Sequence, residues 1–468
     1  MTDIQRCELR PGHLVEWSLP APAVAAASTA PEDSRPPAYV QEFHLRTART
    51  IRATGLCAPN WLGTAFDLPG RIDLDALGRA LHAWTLRHET LRSGFRWVGD
   101  EVRRFTLPAE SVSLSRTEVG HFAEPATLVR YLQDRFDAAA DALSWPNFLY
   151  TAVLRPDGAS LYLAFDHSNV DAHSIHRIPA EIHELYAAEL RGEVPAMPLV
   201  GSYIDFCASE RGAADAMDDG HAIVARWREF IARCGGVLPP FPVELGVDPE
   251  GPLPVQRFER EMLVDDPAAA AFEAHCRPYG GTLVGVLAAT ALIVRELGGH
   301  EVYRTVVPFH TRVKSRWSDS VGWYVGGAPI EVPVGRAAGF DEALEMVRSA
   351  LRANRPLAGM PIARALGLLG EEFTAPSPDP CSFVSYVDGR AVPLAEHWAE
   401  LRAYGLVRVS YGDQVCVWLN RVHEGLQFAT RFPDTEAAGA SMRRYTERLR
   451  EMVLSVAQPA LATGAPAS

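Results

Sequence analysis

The sequence has very little lysine: Lys314 is the single lysine among 45 basic residues, and the others are arginines. The chain of 468 residues carries a formal net charge of −13 at pH 7. Nucleic-acid binding needs a basic face that neutralises phosphates, so this charge argues against a nucleic-acid partner. The longest nearly apolar run, 283–294, is far shorter than the roughly 20 residues of a membrane-spanning helix, and we expect a soluble protein without an integral membrane segment.

The seven cysteines are an odd number, are scattered along the chain and include no CxxC pair. This spacing indicates neither a disulfide framework nor a zinc site, and we expect no metal. We also expect no secretory signal, because Asp3, Glu8 and Glu16 interrupt any basic and apolar regions ahead of the alanine-rich stretch that follows. A reducing cytoplasm is the expected location.

The motifs of nucleotide binding and of serine hydrolysis are absent from the sequence. It contains neither GxxxxGK(S/T) nor GxGxxG, the glycine-rich patterns that hold phosphates. It also contains no GxSxG nucleophile elbow, since Ser410 has only the final glycine of that pattern. These absences argue against both classes of protein.

Composition and length are those of an ordinary folded protein with two or three domains. Apolar residues make up 47% of the chain and charged residues 22%. Residues 1–36 are rich in proline and alanine with little periodicity, and they predict an extended N-terminal arm. The stretch 235–254 is dense in glycine and proline and predicts a connection between two lobes.

Predicted strands and helices follow one another without strict alternation, which is typical of an α+β fold rather than a doubly wound parallel sheet. The apolar run 160–167 has the length of a strand. Ile175, Ile178 and Ile182 then recur at helical spacing and predict an amphipathic helix. The polar cluster 166–174 lies on the loop between them, where binding and catalytic groups often sit.

Within this loop, His167 and Asp171 form an HxxxD pattern. A neutral imidazole near pH 7 can take a proton from an attacking hydroxyl or ammonium group, so His167 is the candidate general base. The pattern alone is weak, because a loop histidine that is simply hydrogen-bonded to a carboxylate has the same spacing. Its position between a strand end and a capped helix favours catalysis, since such a loop holds the ring rigidly and leaves it accessible.

Residues 166–172, DHSNVDA, resemble the HHxxxDG motif of the condensation-domain superfamily. Other segments resemble that family's motifs in the same order: 87–92 its RHExLR segment, 37–45 the N-terminal strand around its motif Gln, 282–297 its long buried helix, 303–312 the strand ending in its motif Arg, and 322–326 its GxxxN-type strand. Segments 201–207 and 239–246 are most similar to the polyketide-associated acyltransferases, which esterify trehalose and related lipids. The resemblance covers about residues 37–435.

The resemblance implies two lobes, each similar to chloramphenicol acetyltransferase, arranged in a V with an active-site tunnel between them. Residues 37–195 are expected to form the N-terminal lobe with the HxxxD motif, and residues 196–468 the C-terminal lobe. In this family the acceptor attacks a thioester directly, without an acyl-enzyme, and the motif Asp faces away from the substrate and pairs with an Arg. We carry these structural roles to Asp171 and Arg312, whose bidentate pair would hold the loop that presents His167.

The resemblance also places the remaining loop residues near the tunnel. The candidates to line it are Asp166, Ser168, Asn169, Ala172 and His173, and ordinary loop polarity is the alternative for Ser168, Asn169 and His173. Two of them depart from the motif: Asp166 replaces its first His, and Ala172 replaces its Gly, which adds one methyl group beside His167. The family's later DFGWG segment has no clear counterpart, and this weakens an interpretation as an ordinary peptide-forming condensation enzyme.

We therefore expect an acyltransferase of secondary or lipid metabolism that moves an acyl group from a thioester donor to a hydroxyl acceptor and forms an ester. The donor is expected to be a phosphopantetheine thioester, on an acyl or peptidyl carrier protein or on coenzyme A, acting as a substrate, with no tightly bound cofactor. Two alternatives remain open: a stand-alone condensation enzyme, as in nonribosomal peptide or polyketide biosynthesis, that forms an amide with an amine, and a non-catalytic module that docks carrier proteins. Retention of His167, Asp171 and Arg312 favours catalysis. We expect a monomer.

Overall fold

The computed structural model describes residues 1–57, 59–377, 379 and 381–463, with side chains up to residue 458. The chain forms two compact units, each built from three segments. Unit 1 comprises Met1–Ala216, His310–Val325 and Val392–Arg408, and unit 2 comprises Met217–Phe309, Gly326–Ala391 and the chain from Val409 onward. Each unit combines a mixed sheet with packed helices, which confirms the predicted α+β class.

Fifteen strands occur in the described residues. They are β1 (Thr2–Asp3), β2 (Gly12–Ser18), β3 (Trp61–Pro69), β4 (Ser93–Val98), β5 (Glu101–Thr106), β6 (Ser115–Phe122), β7 (Phe148–Arg155), β8 (Gly158–Asp166), β9 (Gln256–Asp265), β10 (Tyr303–His310), β11 (Val325–Val332), β12 (Phe383–Asp388), β13 (Tyr404–Val407), β14 (Cys416–Val422) and β15 (Gly425–Pro433).

Twelve α-helices occur in the described residues. They are α1 (Ala21–Thr29), α2 (Tyr39–Ala53), α3 (Leu74–Arg87), α4 (Pro125–Ala139), α5 (Ala172–Arg191), α6 (Tyr203–Asp215), α7 (Ala222–Arg233), α8 (Asp266–Cys276), α9 (Thr282–Gly298), α10 (Phe340–Asn354), α11 (Ile362–Leu369) and α12 (Glu436–Thr463).

Strand β8, which ends at the HxxxD motif, lies inside the main sheet of unit 1. That sheet has the order β1-β13-β3-β8-β7-β2-β6, and β8 is antiparallel to both of its neighbours. Alternate side chains of β8 enter two apolar clusters: Leu163 and Phe165 pack in the cluster that includes α5, and Tyr162 and Ala164 pack in the cluster that includes α4. Because both faces of the strand are covered, its sequence is a continuous apolar run, and the turn at its end has a rigid base.

Residues 1–36 are not the extended arm that their composition predicted. Strand β2 pairs with β6 on one side and β7 on the other, so it lies inside the sheet of unit 1. Its residues Leu14, Val15 and Trp17 are buried. Helix α1 is rich in alanine and buries only Ala23 and Ala27, so its sequence has too little contrast between apolar and polar positions to show a period.

Residues 37–45, expected as a strand from the family resemblance, lead into helix α2. The buried residues of this helix are Gln41, His44 and Leu45, whose spacing is helical. Gln41 accepts a hydrogen bond from the backbone N–H of Ala38 at 3.0 Å, which satisfies one free donor at the start of the helix. Because two of the three buried residues are polar, an apolar pattern does not reveal this helix.

Unit 2 is built on a six-stranded sheet with the order β11-β10-β12-β14-β15-β9. Helix α9 is buried nearly all round, as its almost uniformly apolar sequence predicts. The stretch 235–254 lies entirely within unit 2, where Leu238 and Phe241 are buried. It is therefore not the connection between lobes that its glycines and prolines predicted.

The predicted boundary between residues 195 and 196 also differs from the observed division. Unit 1 continues through α6, because Tyr203 and Phe206 pack with Trp317 and Tyr324 in one apolar cluster of that unit. Strand β13 also returns to unit 1 and pairs with β3. These exchanges depend on packing between segments far apart in the chain, which local composition does not encode.

No described helix is by itself long and apolar enough to cross a membrane. The helical segments Asp266–Tyr279 and Thr282–Gly298 reach that length and composition only as a pair, and the chain bends by 95° between them. Phe272 of the first segment and Val286 of the second pack in the apolar core of unit 2.

Candidate active site

The HxxxD motif lies on the turn that follows strand β8. His167–Asn169 form a single 3-10 turn, at whose start Asp166 accepts a hydrogen bond from the backbone N–H of Ser168 at 3.0 Å. The His167 side chain is half-buried, and its Nδ1 atom is buried without a side-chain hydrogen-bond partner among the described residues. Nε2 is therefore the ring nitrogen left for a substrate.

An aromatic neighbour holds the His167 ring. Trp323 stacks against it, with ring centroids 3.9 Å apart and planes inclined by 28°. The His44 ring lies 6.5 Å from that of His167. Loss of hydration, together with the charge of the nearby His44, lowers the pKa of His167 from 6.5 to about 4. His167 is consequently neutral near pH 7, which is the state that a general base needs.

Asp166 and His44 form a buried pair beside His167. Nε2 of His44 lies 3.0 Å from Oδ2 of Asp166, and the two residues are 7% and 1% exposed. Burial acts to raise the pKa of Asp166, but the charge and hydrogen bond of His44 and the bonds from Ser168 lower it overall. Asp166 is therefore ionised, and each of its two oxygens accepts a hydrogen bond.

The structure brings Asp171 and Arg312 together in a bidentate pair. Nη1 of Arg312 donates to Oδ2 of Asp171 at 2.6 Å, and Nη2 donates to Oδ1 at 2.9 Å. Asp171 is also the N-cap of α5, because Oδ1 accepts from the backbone N–H of Ser174 at 2.8 Å. Burial acts to raise the pKa of Asp171, but Arg312 outweighs it and brings the pKa down to about 2.

The same pair positions the segment that carries Trp323. Nη2 of Arg312 donates to Oγ of Ser174 at 3.0 Å, and the guanidinium carbon lies 4.2 Å from the ring centre of Tyr324. The backbone N–H of Tyr324 donates to Asp171 at 3.1 Å. Since Trp323 directly precedes Tyr324, these contacts hold Trp323 against the His167 ring.

Buried polar side chains anchor the turn from within unit 1. Asn169 accepts a hydrogen bond from Thr90 at 2.8 Å and donates one to Asn147 at 2.7 Å. Gln41 of α2 donates to the backbone carbonyl of Ser168 at 2.7 Å. Three separate parts of the chain thus hold the backbone that carries His167.

The segment that resembles RHExLR supports this arrangement. His88 is buried; its Nδ1 accepts from the backbone N–H of Val321 at 3.4 Å, and its Nε2 lies 2.7 Å from Glu181 on α5. Glu181 also accepts a hydrogen bond from the indole N–H of Trp84 at 2.8 Å. The segment therefore ties α3 and α5 to the chain just before Trp323.

Three of the five loop residues that were candidates to line a tunnel are buried, while Ala172 and His173 remain candidates. Asp166, Ser168 and Asn169 are at most 1% exposed, so their side chains are closed to a substrate. Ala172 and His173 are half-buried at the start of α5, and Nε2 of His173 lies 3.1 Å from a backbone carbonyl oxygen. The polar side chains turn inward because buried hydrogen-bond partners are available there.

Sequence reasoning missed two neighbours of His167, namely His44 and Trp323. Both are distant from His167 in the chain, and no spacing relates them to the HxxxD motif. The nearest signal was the family's motif Gln, here Gln41, which lies three residues, about one helical turn, before His44 on α2. The segment was expected as a strand, in which Gln41 and His44 lie on opposite faces, so only the observed helix relates His44 to Gln41.

The site offers a proton acceptor held in one orientation. Among the described residues, no group of three or more His, Cys, Asp or Glu side chains is arranged to hold a metal ion. The acidic groups next to His167 are engaged instead, Asp166 by His44 and Asp171 by Arg312. His167 is thus the titratable side chain of the turn that remains available for proton transfer.

Comparison with known proteins places this geometry in a family. The family model described as the condensation domain matches residues 62–371. The chain is 31% identical over 463 residues to the trehalose-2-sulfate acyltransferase PapA2 of Mycobacterium tuberculosis, with 97% of each chain covered. It is 29% identical to the acyltransferase PapA3 of the same organism, covering 96% of this chain and 94% of that one.

Solved structures agree with this placement. A structure of PapA2 acyl transferase has a TM-score of 0.89 at 28% identity, covering 97% of this chain and 99% of the other. The condensation domain of the monacolin K polyketide synthase MokA shares the fold, with a TM-score of 0.67 at 16% identity over 91% of this chain and 97% of that one. The predicted family, fold and reaction class are confirmed: the chain belongs to the condensation-domain family and is an acyltransferase.

Proposed function

We propose that this chain transfers an acyl group from a thioester donor to a hydroxyl acceptor, forming an ester, with His167 as the general base. The observation that carries the proposal is the state of the His167 ring. The imidazole is half-buried and neutral near pH 7, with Nδ1 buried and Nε2 left for the acceptor. Membership of an acyltransferase family supports acyl transfer as the reaction.

The proposed reaction needs one base in two steps. His167 takes the proton of the acceptor hydroxyl as the oxygen attacks the carbonyl carbon of the thioester, which gives a tetrahedral intermediate with negative charge on the former carbonyl oxygen. Collapse of this intermediate breaks the C–S bond, and the imidazolium returns its proton to the leaving thiolate. A positioned base of this kind contributes about 10²–10⁴ in rate.

Two carboxylates and an aromatic face partly offset the loss of hydration that disfavours the imidazolium formed during the reaction. The carboxylates of Asp166 and Asp171 both act to raise the pKa of His167, so they stabilise its protonated form. The face of Trp323, stacked on the ring, also attracts a cation. The resting state stays neutral because loss of hydration and the charge of His44 outweigh these contributions.

A sugar or lipid hydroxyl is the acceptor class that we propose, since the relative PapA2 is named for trehalose-2-sulfate. The donor is a phosphopantetheine thioester, on coenzyme A or on a carrier protein, and is consumed as a substrate. The steps above use His167 and the two substrates alone, so the proposal includes no tightly bound cofactor. We place the reaction in lipid or secondary metabolism.

Intact-mass spectrometry tests the proposal. Acyl-loaded carrier proteins and acyl-coenzyme A thioesters are incubated with alcohol and amine acceptors, and the loss of the acyl group is followed together with the appearance of the product. We expect ester formation with the wild-type enzyme that is about 10²–10⁴ times slower with His167→Ala. A product that survives mild alkaline hydroxylamine is an amide and would overturn the hydroxyl assignment.

The same assay separates an enzyme from a docking module. Carrier binding by wild type and His167→Ala is measured in parallel by calorimetry. Equal binding with lost turnover supports catalysis. Carrier binding without turnover in either protein, across all donors and acceptors, would contradict the proposed function.

A further inference from the structure

Helix α2 presents two polar side chains to the turn that carries His167. Gln41 donates to the backbone carbonyl of Ser168 at 2.7 Å, and His44, one helical step later, lies 3.0 Å from Asp166. Both are buried, at 0% and 7% exposure. Buried polar side chains need hydrogen-bond partners inside the protein, and those of Gln41 and His44 find theirs on the turn. This face of α2 therefore holds the turn in place.

We propose that His44 is a positioning residue for acyl transfer: through its hydrogen bond to Asp166 and its edge contact with Trp323, it holds the His167 ring in its working orientation. The proposal rests on the proposed function of His167 as the general base.

The first part of the argument concerns Asp166. One of its oxygens accepts from the backbone N–H of Ser168 and so holds the 3-10 turn, while the other accepts from His44. Removal of His44 leaves a buried carboxylate oxygen without this donor. An ionised group that loses a buried partner is strongly unfavourable, so the side chain is driven to a new position and its bond to the turn is disturbed.

The second part concerns Trp323. The His44 ring meets Trp323 edge-on, with centroids 5.5 Å apart and planes at 82°, and Trp323 stacks on His167 at 3.9 Å. His44 therefore supports the indole that lies against the base. Removing the imidazole leaves space behind Trp323 and loosens the stack that holds the His167 ring.

The pKa of His167 gives a second measure of the contact between His44 and His167. A purely structural role of His44 predicts no change in this pKa. The titratable groups that act on His167 are His44 from α2 and the two carboxylates of its own loop, Asp166 and Asp171. His44 lowers the pKa of His167, and both carboxylates raise it. We therefore expect the pKa of His167 to rise in a variant that loses the charge of His44 while Asp166 stays in place.

Three substitutions of His44 distinguish the contributions of its hydrogen bond to Asp166, its ring contact with Trp323 and its charge. His44→Gln keeps an N–H donor near the position of Nε2 but removes the ring and the charge. His44→Phe keeps a ring edge for Trp323 but removes the bond, and His44→Ala removes everything. The matched control is His82→Gln on α3, because His82 is half-buried, contacts the backbone carbonyl of Val112 at 2.8 Å and is not among the groups that act on His167.

We expect His44→Phe and His44→Ala to lower kcat by about tenfold to a hundredfold, the loss that follows from removing a hydrogen bond to a charged group, with KM nearly unchanged. His44→Gln should keep most of its kcat at pH 8 and shift the acidic limb of kcat/KM to higher pH. His82→Gln should match wild type in both respects. Wild-type kcat in His44→Phe and His44→Ala would overturn the proposal.

An NMR titration of the His167 imidazole provides a second measurement that needs no turnover. We expect the midpoint to rise in His44→Gln and to stay in place in His82→Gln. An unchanged midpoint in folded His44→Gln would overturn the proposal. If the wild-type enzyme transfers no acyl group but the midpoint still rises, the proposed function fails while the contact between His44 and His167 stands.

Discussion

The two units of the chain differ in the side chains that they bury. Unit 1 buries eight acidic, arginine or histidine side chains within its described residues: Asp3, Glu16, His44, His88, Arg104, Asp166, Glu181 and Arg312. In the described part of unit 2, Arg421 is the one such residue that is buried. A buried charge is unfavourable unless it is paired, so many buried charges in one unit indicate a role other than stability.

Five of the eight lie at the candidate site or support it. His44 and Asp166 border His167, Arg312 holds Asp171 at the start of α5, and His88 with Glu181 supports the chain before Trp323. The large core of unit 2 is instead formed by aliphatic and aromatic side chains from α9, α12 and its sheet. We infer that the buried charged groups of unit 1 make it less stable than apolar side chains would but define the geometry of the site. In unit 2, apolar packing provides most of the stability.

The largest expected effect is the loss of His167 itself. His167→Ala should lower kcat by about 10²–10⁴ because the proton acceptor is lost. The free energy of unfolding should hardly change, since the half-buried ring has no side-chain hydrogen-bond partner among the described residues. Acyl-transfer kinetics and thermal unfolding of the same preparation check this, and a variant that retains turnover would refute the assignment of the base.

Matched arginine substitutions compare the two units directly. Arg312→Lys keeps the charge but not the fork that holds Asp171, and it should lower kcat by about tenfold through the displaced turn. Arg421→Lys in unit 2 loses contacts of the same kind, with Glu273 at 3.2 Å and the carbonyl of Gly425 at 3.2 Å.

Both arginine variants should lower the free energy of unfolding by about 1–3 kcal/mol, the range for hydrogen bonds of charged groups. Turnover should fall only in Arg312→Lys. Steady-state kinetics alongside urea unfolding make the measurement. Equal loss of kcat in both variants would contradict the conclusion that the buried charges of unit 1, unlike that of unit 2, support catalysis.

The pH dependence of the reaction sharpens the contrast further. Because burial lowers the pKa of His167 to about 4, the ring remains deprotonated as the pH falls from 7 through 6.5. The acidic limb of kcat/KM that belongs to this base should therefore lie near pH 4, well below that of an ordinary histidine. A pH-rate profile measured with a neutral acceptor checks this, and a limb at pH 6.5 would contradict it.

The smallest expected effect concerns the buried polar network. Thr90→Val removes the hydroxyl that donates to Asn169 at 2.8 Å while keeping the shape of the side chain. The free energy of unfolding should fall by about 1 kcal/mol, and kcat by about twofold to fivefold, since the turn keeps its bonds to Asn147 and Gln41. Denaturant titration and kinetics measure both, and wild-type values for both would remove Thr90 from the support of the site.

Local patterns predicted the strand before the HxxxD motif and the helix after it well. The apolar run 160–167 became β8 with an end within one residue, and Ile175, Ile178 and Ile182 became the buried face of α5. The uniform apolarity of α9 likewise predicted its burial. These features depend on the side-chain period within one element, which a sequence displays directly.

The failures share a different cause. Helix α2 buries Gln41 and His44, and α1 buries only alanines, so neither shows an apolar stripe. Ser168 and Asn169, polar residues of the motif loop, were candidates for a tunnel wall from the family resemblance, yet they are buried against partners from distant segments. Polarity predicts exposure only where no buried partner exists, and the partners are not local in sequence.

By itself, the sequence determined the α+β class and the membership of an acyltransferase family, and it made His167 of the HxxxD motif the candidate base, because all three depend on short ordered patterns. Only the tertiary structure decided what surrounds that imidazole: the indole of Trp323 on its face, and His44 with Asp166 behind it. The physical reason is that a pKa and a ring orientation depend on distances through space, and segments far apart along the chain supply the atoms at those distances.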